Sequence, residues 1–325
     1  MEGGGRNIMG KIGIVMYHYV RDLKHSRYPG IKGLDYALFK EQIRFFSESF
    51  HVITMEQLIE HYISGAELPE DAILLTFDDG YIDNYLYVLP VLKEYHMQGS
   101  FFVPGRVFQE HCLLDVNKIH YLLASTPIDL LYKELLGQMD DYRGGEWDYP
   151  SNEELFQQYA VATRFDDKET VFVKRILQVA LPEELRGIIS SNMFAKYVGV
   201  SEEVLARELY LNYDQMKEMK RQGMYFGIHG YGHYWMNRLP LGELEADIGK
   251  GLDALQGLLP SDSWVINYPY GSYSDEVIDV AKRKGCILGL STDVRMADIG
   301  QDDRFKLPRL DTNDYPPKSK RYLEL

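Results

Sequence analysis

Cysteine is nearly missing from this chain: Cys112 and Cys286 are the only two in 325 residues. They lie far apart and lack the close spacing of thiolate metal motifs, so neither a disulfide scaffold nor a cysteine-based metal knuckle is available. Cys286 opens an apolar stretch and reads as a small buried hydrophobe. Positive charge is in short supply too. The 35 Lys and Arg residues face 49 Asp and Glu, a formal net charge of −14, which argues against nucleic acid or an anionic membrane surface as the main partner. No apolar run approaches the roughly 20 residues that span a bilayer. The opening residues MEGGGR lack the basic-then-apolar pattern of a secretory signal,. Together these absences favour a cytoplasmic protein without a membrane span, in which residues 1–10 form a flexible leader.

Apolar residues, in contrast, make up 45% of the chain, enough for one large barrel with an insertion or for two domains. The most informative of them run into charge. In Leu74-Leu75-Thr76-Phe77-Asp78-Asp79-Gly80 a strand-like apolar segment ends in two adjacent carboxylates and a glycine. Strand ends of parallel α/β folds are where active sites gather. Two neighbouring aspartates repel each other, and a divalent cation is the usual compensation. A plain Asp-Asp-Gly turn is the alternative. Far downstream, Gly227-Ile228-His229-Gly230-Tyr231-Gly232-His233 follows a second short apolar stretch. Its glycines indicate a turn, and two imidazoles four residues apart can converge on one ion. With Asp79 they supply two neutral nitrogens and one carboxylate oxygen, the donor set of a catalytic zinc-type centre with open positions. Asp78 is then left to act as a base.

A third segment, Trp264-Val265-Ile266-Asn267-Tyr268-Pro269-Tyr270-Gly271, again sets a strand before an abrupt turn. Taken in order, the three motifs resemble the polysaccharide deacetylase family, carbohydrate esterase family four. Thr76-Phe77-Asp78-Asp79-Gly80 matches the family's first motif, His229 and His233 the histidines of its second, and Pro269-Tyr270-Gly271 the end of its third. The resemblance covers residues 11–105 and 211–312 and skips the middle of the chain. It implies a distorted (β/α)7 barrel, a divalent cation such as Zn²⁺ on Asp79, His229 and His233, and an oxyanion held by that cation and the backbone N–H of Tyr270.

Three positions depart from the family pattern. Gly230 stands where a Ser or Thr follows the first histidine. Asn267 stands where an arginine steadies the catalytic aspartate. The segment Cys286-Ile287-Leu288-Gly289-Leu290-Ser291-Thr292 lacks the histidine expected as general acid. The start of the chain offers a replacement. Ile12 to Val20 is an apolar strand containing Tyr17-His18, and a circularly permuted branch that deacetylates exopolysaccharides opens on such a strand. By that resemblance His18 is the acid, with Tyr17 and Pro269 beside the substrate. Arg309, in Leu307-Pro308-Arg309-Leu310-Asp311, either restores the missing arginine from a final barrel strand or forms an ordinary salt bridge.

Between these motifs, hydrophobic periodicity alternates strand and helix. Helices are expected over 35–50, 84–95 with Pro90 kinking it or marking an early turn, 213–222, 241–258 and 273–284, and strands over 72–77, 99–104, 224–228, 264–268 and 286–291. This alternation suggests a parallel barrel over 11–104 and 211–325. Residues 105–210 carry helical periodicity instead and read as a large helical insertion on the rim. Within it the acidic, aromatic loop 140–150 either stacks a sugar on Trp147 or Tyr149 or packs those rings between helices.

The expected activity is metal-assisted hydrolysis of an N-acyl group, acetyl above all, on an amino sugar or glycan of surface-polysaccharide metabolism. Asp78 takes a proton from water and His18 gives one to the departing amine. Two other readings stay open. One is hydrolysis of a small cyclic amide or ureide. The other is a catalytically impaired, metal-containing carbohydrate-binding protein.

Overall fold

The computed structural model describes residues 10–163, 166–260 and 263–325. The expected leader, up to residue 9, lies outside the described residues. Two compact units divide the chain. The first runs to Asp22, resumes over Gly33–Glu110 and again over Leu209–Leu325. The second comprises Leu23–Lys32 and His111–Glu208. Residues 105–110 therefore go with the first unit, and a short early segment joins the helical one.

Seven parallel strands form the ring of the first unit: β1 (Lys11–Tyr17), β2 (Ala72–Phe77), β3 (Ser100–Val103), β4 (Tyr225–Ile228), β5 (Trp264–Asn267), β6 (Cys286–Leu290) and β7 (Leu310–Asp311); the two-residue strand His51–Val52 also pairs in parallel with β2, and Ala297–Asp298 pairs antiparallel with β1. The first six neighbour one another in chain order. β7 pairs in parallel with β1, Val15 opposite Leu310. Just before it, Leu307 bridges Leu290 of β6, and the Ser291 N–H donates to the Leu307 carbonyl at 2.8 Å. The last segment thus joins the sixth strand to the first, and the sheet curls back on itself as the expected distorted (β/α)7 barrel.

Strand composition follows from burial on both faces. β2 reads Ala-Ile-Leu-Leu-Thr-Phe, and all six residues are buried, so it is continuously apolar rather than alternating. The two-residue period still sorts its side chains. Ile12, Ile14, Leu74, Phe102, Val265, Leu288 and Leu290 fill one shared core. Tyr17, Phe77 and Phe101 point the other way and stack in a row, 4.7 and 4.9 Å apart. The helix Tyr36–Ser49 covers that row, its Phe39 meeting Tyr17 edge-on at 5.5 Å.

Local signals set the helix ends. Asp35 caps Tyr36–Ser49, and a Thr54–Gln57 capping box opens Met55–Ser64, which Gly65 closes in the left-handed conformation,. The expected helix over 84–95 is two pieces: a π-helical turn, Asn84–Val88, and an α-helix, Leu89–Glu94. Pro90 sits in the first turn of the second piece, where its missing N–H is least costly. The helix expected over 241–258 ends at Ala254.

The second unit is helical: Asp115–Ser125, Ile128–Tyr142, Asn152–Tyr159, Lys168–Arg175 continued by a π turn to Ala180, and Glu183–Tyr197. Leu131, Leu135, Met139, Phe172, Leu185, Ile189 and Phe194 are buried in it. Within it Lys118 lies between Asp115 and Glu202, 3.0 Å from each. Among the described residues no helix is long and apolar enough to cross a membrane.

Candidate metal centre and active site

Four barrel strands of the site deliver their polar residues at their carboxyl ends, and the last delivers Arg309 from its amino end. β1 leads into His18, β2 into Asp78 and Asp79, and β4 into His229; β5 ends on Asn267, while Arg309 immediately precedes β7. The fold therefore brings Asp78 and Arg309, 231 positions apart in sequence, into direct contact.

Asp79 is the centre of the first group. Its backbone is left-handed, with φ 69°, which swings the carboxylate away from the strand direction. It is 3% exposed. Tyr81, two residues on, donates its hydroxyl to Oδ2 at 2.6 Å. Oδ1 faces His229 Nε2 at 3.4 Å and His233 Nε2 at 3.3 Å, yet this buried oxygen accepts no hydrogen bond. The reason lies one atom away. His229 Nδ1 contacts the Asn267 carbonyl at 2.6 Å, and a carbonyl can only accept, so Nδ1 carries the proton and Nε2 presents a lone pair. Burial, opposed by Asp79, holds the His233 imidazole below its ordinary pKa, so it is neutral near pH 7.

Buried lone-pair donors thus face one another without a proton on the His229 nitrogen that points inward. The three residues offer ligand atoms all within 4.8 Å of one another. Tetrahedral bonds of 2.0–2.2 Å would separate ligand atoms by about 3.4 Å, close to the Asp79–histidine spacings. The set suits a divalent cation with positions to spare. It is two imidazoles and one carboxylate, with no thiolate.

Asp78 heads the second group and is 1% exposed. Arg309, fully buried, grips it with both arms: Nη1 donates to Oδ1 and Nη2 to Oδ2, each at 2.9 Å. The remaining guanidinium donors go to the Ser291 carbonyl, the Thr76 hydroxyl and Asn267 Oδ1. Asn267 Nδ2 donates to Asp78 Oδ1 at 2.5 Å. His18, 42% exposed at its side chain, places Nε2 3.8 Å from Asp78 Oδ2. Burial pushes the Asp78 carboxyl up, but Arg309, His18 and His229 more than offset it and hold it below its ordinary value. Of the two sequence alternatives for Arg309, the structure has the buried partner of Asp78.

The turn Pro269–Gly271 completes this rim. Tyr270 has a left-handed backbone, φ 58°, and its ring lies 4.7 Å from that of His233 and stacks on Trp235 at 4.6 Å. Pro269 is buried at its base. Tyr17 does not join them. Strand alternation sends its ring outward from the barrel, fully buried under the first helix, with the hydroxyl donating to Gln42 at 2.5 Å. It cannot touch a ligand, and the sequence expectation for it is corrected. Trp147 belongs to the second unit, where its ring packs edge-on against Tyr142 at 5.7 Å.

A family model described as polysaccharide deacetylase matches residues 65–142 and 156–288, well over half of the chain. The chain belongs to the polysaccharide deacetylase family. Solved structures of this fold include the Streptococcus pyogenes deacetylase PplD in complex with acetate. It is 18% identical with a TM-score of 0.59, covering 97% of this chain and 96% of that one. IcaB from Ammonifex degensii is likewise 18% identical, TM-score 0.56, covering 97% and 98%. The YxkH protein of Bacillus subtilis strain 168 is 29% identical over 97 residues, which are 30% of this deacetylase-family chain but only 33% of YxkH.

Three residues at this site escaped the sequence reading. Tyr81 is two positions past Asp79 and could have been suspected from that alone. Asp247 is a carboxylate on the buried face of the amphipathic helix Leu241–Ala254, between Leu244 and Gly251; a charge at a core-facing position is the signal. Trp235 gave none, because an aromatic after His233 looks like any core residue.

Proposed function

We propose that the chain is a metal-dependent hydrolase that removes an N-acyl group, acetyl first of all, from an amino sugar within a glycan. One observation carries this reading: a buried, unpartnered carboxylate oxygen meets two imidazole nitrogens beside a second buried carboxylate that is held ionised. The match to the polysaccharide deacetylase model supports the substrate class. That PplD was solved in complex with acetate supports acetyl as the acyl group.

Asp79, His229 and His233 would hold the cation, Zn²⁺ being the ion this donor set suits best. When bound, such an ion polarises a carbonyl and lowers the pKa of water. The chain's own residues do the rest. Asp78 has both oxygens oriented by Arg309 and one by Asn267, and its role is to accept a proton from the attacking water. The Tyr270 N–H, on a turn with left-handed backbone, has the role of holding the developing oxyanion. His18 is partly exposed and 3.8 Å from Asp78, so it can reach substrate and give a proton to the departing amine. A purely structural ion site would have no use for Asp78, since burying a second carboxylate and its arginine costs stability without binding metal. This disfavours the carbohydrate-binding reading.

The test is metal analysis coupled to acetate release from a panel of N-acetylated oligosaccharides. Asp78→Asn should retain the metal and lose turnover, whereas Asp79→Ala should lose both. Turnover by Asp78→Asn at the wild-type rate would end the proposal.

A further inference from the structure

The loop carrying the two histidines has an unusual need for support. Gly230 and His233 both adopt left-handed backbone, φ 67° and 58°, so the segment between them cannot continue β4 and makes no strand or helix pairing of its own. Its polar backbone groups are nonetheless partnered. The carbonyls of Gly230 and Tyr231 accept from the N–H groups of Gly105 and Arg106, at 3.3 and 3.0 Å. The N–H groups of Tyr231 and Gly232 both donate to one side chain, Asp247: Oδ2 at 3.1 Å and Oδ1 at 2.8 Å.

Asp247 is buried and sits on the helix Leu241–Ala254. One turn on, Gly251 lets that helix lie against the loop: a Cβ there would stand 3.2 Å from the Gly230 carbonyl carbon and oxygen. The space at Gly230 is equally filled. A Cβ there would meet Asp247 Oδ2 at 2.8 Å and Met236 Cε at 2.9 Å. Position 230 is where the family pattern carries a hydroxyl residue. Here the hydroxyl is absent and a carboxylate from a neighbouring helix lies in the space its Cβ would need.

We infer that Asp247 is a positioning residue for the metal centre, clamping the backbone between His229 and His233 so that both imidazoles reach one ion. This deepens, and rests on, the reading of Asp79, His229 and His233 as ligands. The clamp uses both carboxylate oxygens, one per N–H. Asparagine can satisfy only one of those donors and turns an amide N–H toward the other.

The test measures zinc affinity directly. The full chain, stripped with a chelator, is titrated with Zn²⁺ against a fluorescent zinc indicator as wild type, Asp247→Ala, Asp247→Asn and Gly230→Ala, and each metal-free protein is melted in parallel. Outer partners of metal ligands are typically worth about ten- to a hundredfold in affinity, and Asp247→Ala should lose that much. Asp247→Asn and Gly230→Ala should also lose affinity while melting cooperatively without metal. They decide the matter if Asp247→Ala does not fold. Zinc binding within twofold of wild type in the folded variants would overturn the inference while leaving the metal reading intact. A wild-type chain that binds no zinc would overturn the metal reading, and this inference with it.

Discussion

Replacing Arg309 by methionine should unfold the barrel unit far more readily than an ordinary substitution of arginine. Methionine keeps an unbranched stem but removes five donated hydrogen bonds, two of them to Asp78. Asp78 would remain in a site only 1% exposed, with Asn267 as its direct donor and His18 3.8 Å away. Removing one partner of a buried ion pair typically costs about 3–5 kcal/mol, because the other charge stays buried and uncompensated; an exposed pair is worth about 1 kcal/mol at most. For a unit of this size each kcal/mol lowers the melting temperature by roughly 2–4 °C, so the fall should be on the order of 6–20 °C. The pH dependence has a definite sign. Burial raises the Asp78 pKa and Arg309 is the leading influence opposing it, so in Arg309→Met that pKa rises. A carboxyl raised on folding contributes stability at low pH and loses it as pH climbs, so the variant's deficit should shrink on acidification. The assay is thermal and urea unfolding of the metal-free protein, wild type and Arg309→Met, with Asp78→Asn and the double variant closing a cycle. Removing both charges leaves no buried charge unpaired, so the double variant should be more stable than the sum of singles predicts. A loss below about 1 kcal/mol with an additive cycle would refute the reasoning. Arg309→Lys should not rescue, because a lysine cannot hold two oxygens and three further acceptors in one plane.

Other outcomes are expected along the same rim and beyond it. His18→Ala should lower kcat by about a hundred- to ten-thousandfold with zinc affinity unchanged; undiminished turnover would remove His18 from the mechanism. Tyr81→Phe removes the hydroxyl that fixes Asp79 and should weaken zinc binding about tenfold, measured by indicator competition, while equal affinity would mean that Asp79 is oriented by its backbone alone. In the helical unit, Asp166 is partly buried, which raises its pKa, but Lys174 and Lys32 pull it below the ordinary value of 3.8. A depressed carboxyl stabilises above that value and loses its contribution as pH falls through its lower folded pKa. Asp166→Asn should therefore melt lower than wild type at pH 7, with the gap closing as pH falls below 3.8; a gap independent of pH would exclude the ion pairs as its source.

What could be read from sequence was whatever chemistry is carried within a few residues. Asp78 and Asp79 are contiguous, and His229 and His233 share one turn, so composition and spacing alone joined them. The strand pattern was legible for the same reason: β2 is apolar throughout, and its end coincides with the carboxylates. Less legible was anything decided by which way a strand residue faces. Tyr17 and His18 are neighbours, yet the two-residue period sends one ring under a helix and the other to the rim, and no local signal fixes that phase in a strand buried on both faces. The π turn at Asn84–Val88 was hidden because a hydrophobic period near 3.6 does not distinguish five residues of π geometry from α-helix. Asp247 could be flagged as a charge on a buried helix face, but its role was hidden because its partners are backbone N–H groups, which every sequence has.

The departures from the family pattern share one physical explanation. Strand ends of a closed ring converge, so a group needed above the ring can come from any strand whose end is near enough. The arginine that would have stood at 267 comes from the far end of the chain at 309, and Asn267 keeps a smaller part of the role by donating to the same carboxylate. The ring closure between β6, Leu307 and β7 makes that substitution possible, because it carries Arg309 to Thr76 and Asp78 of β2 and its end. At 230 the exchange is between a side chain and its neighbour: loss of a hydroxyl residue coincides with a carboxylate from the adjacent helix filling the space. A motif read residue by residue shows departures at 230 and 267, where the structure sets a carboxylate against the loop and an arginine and an amide against Asp78.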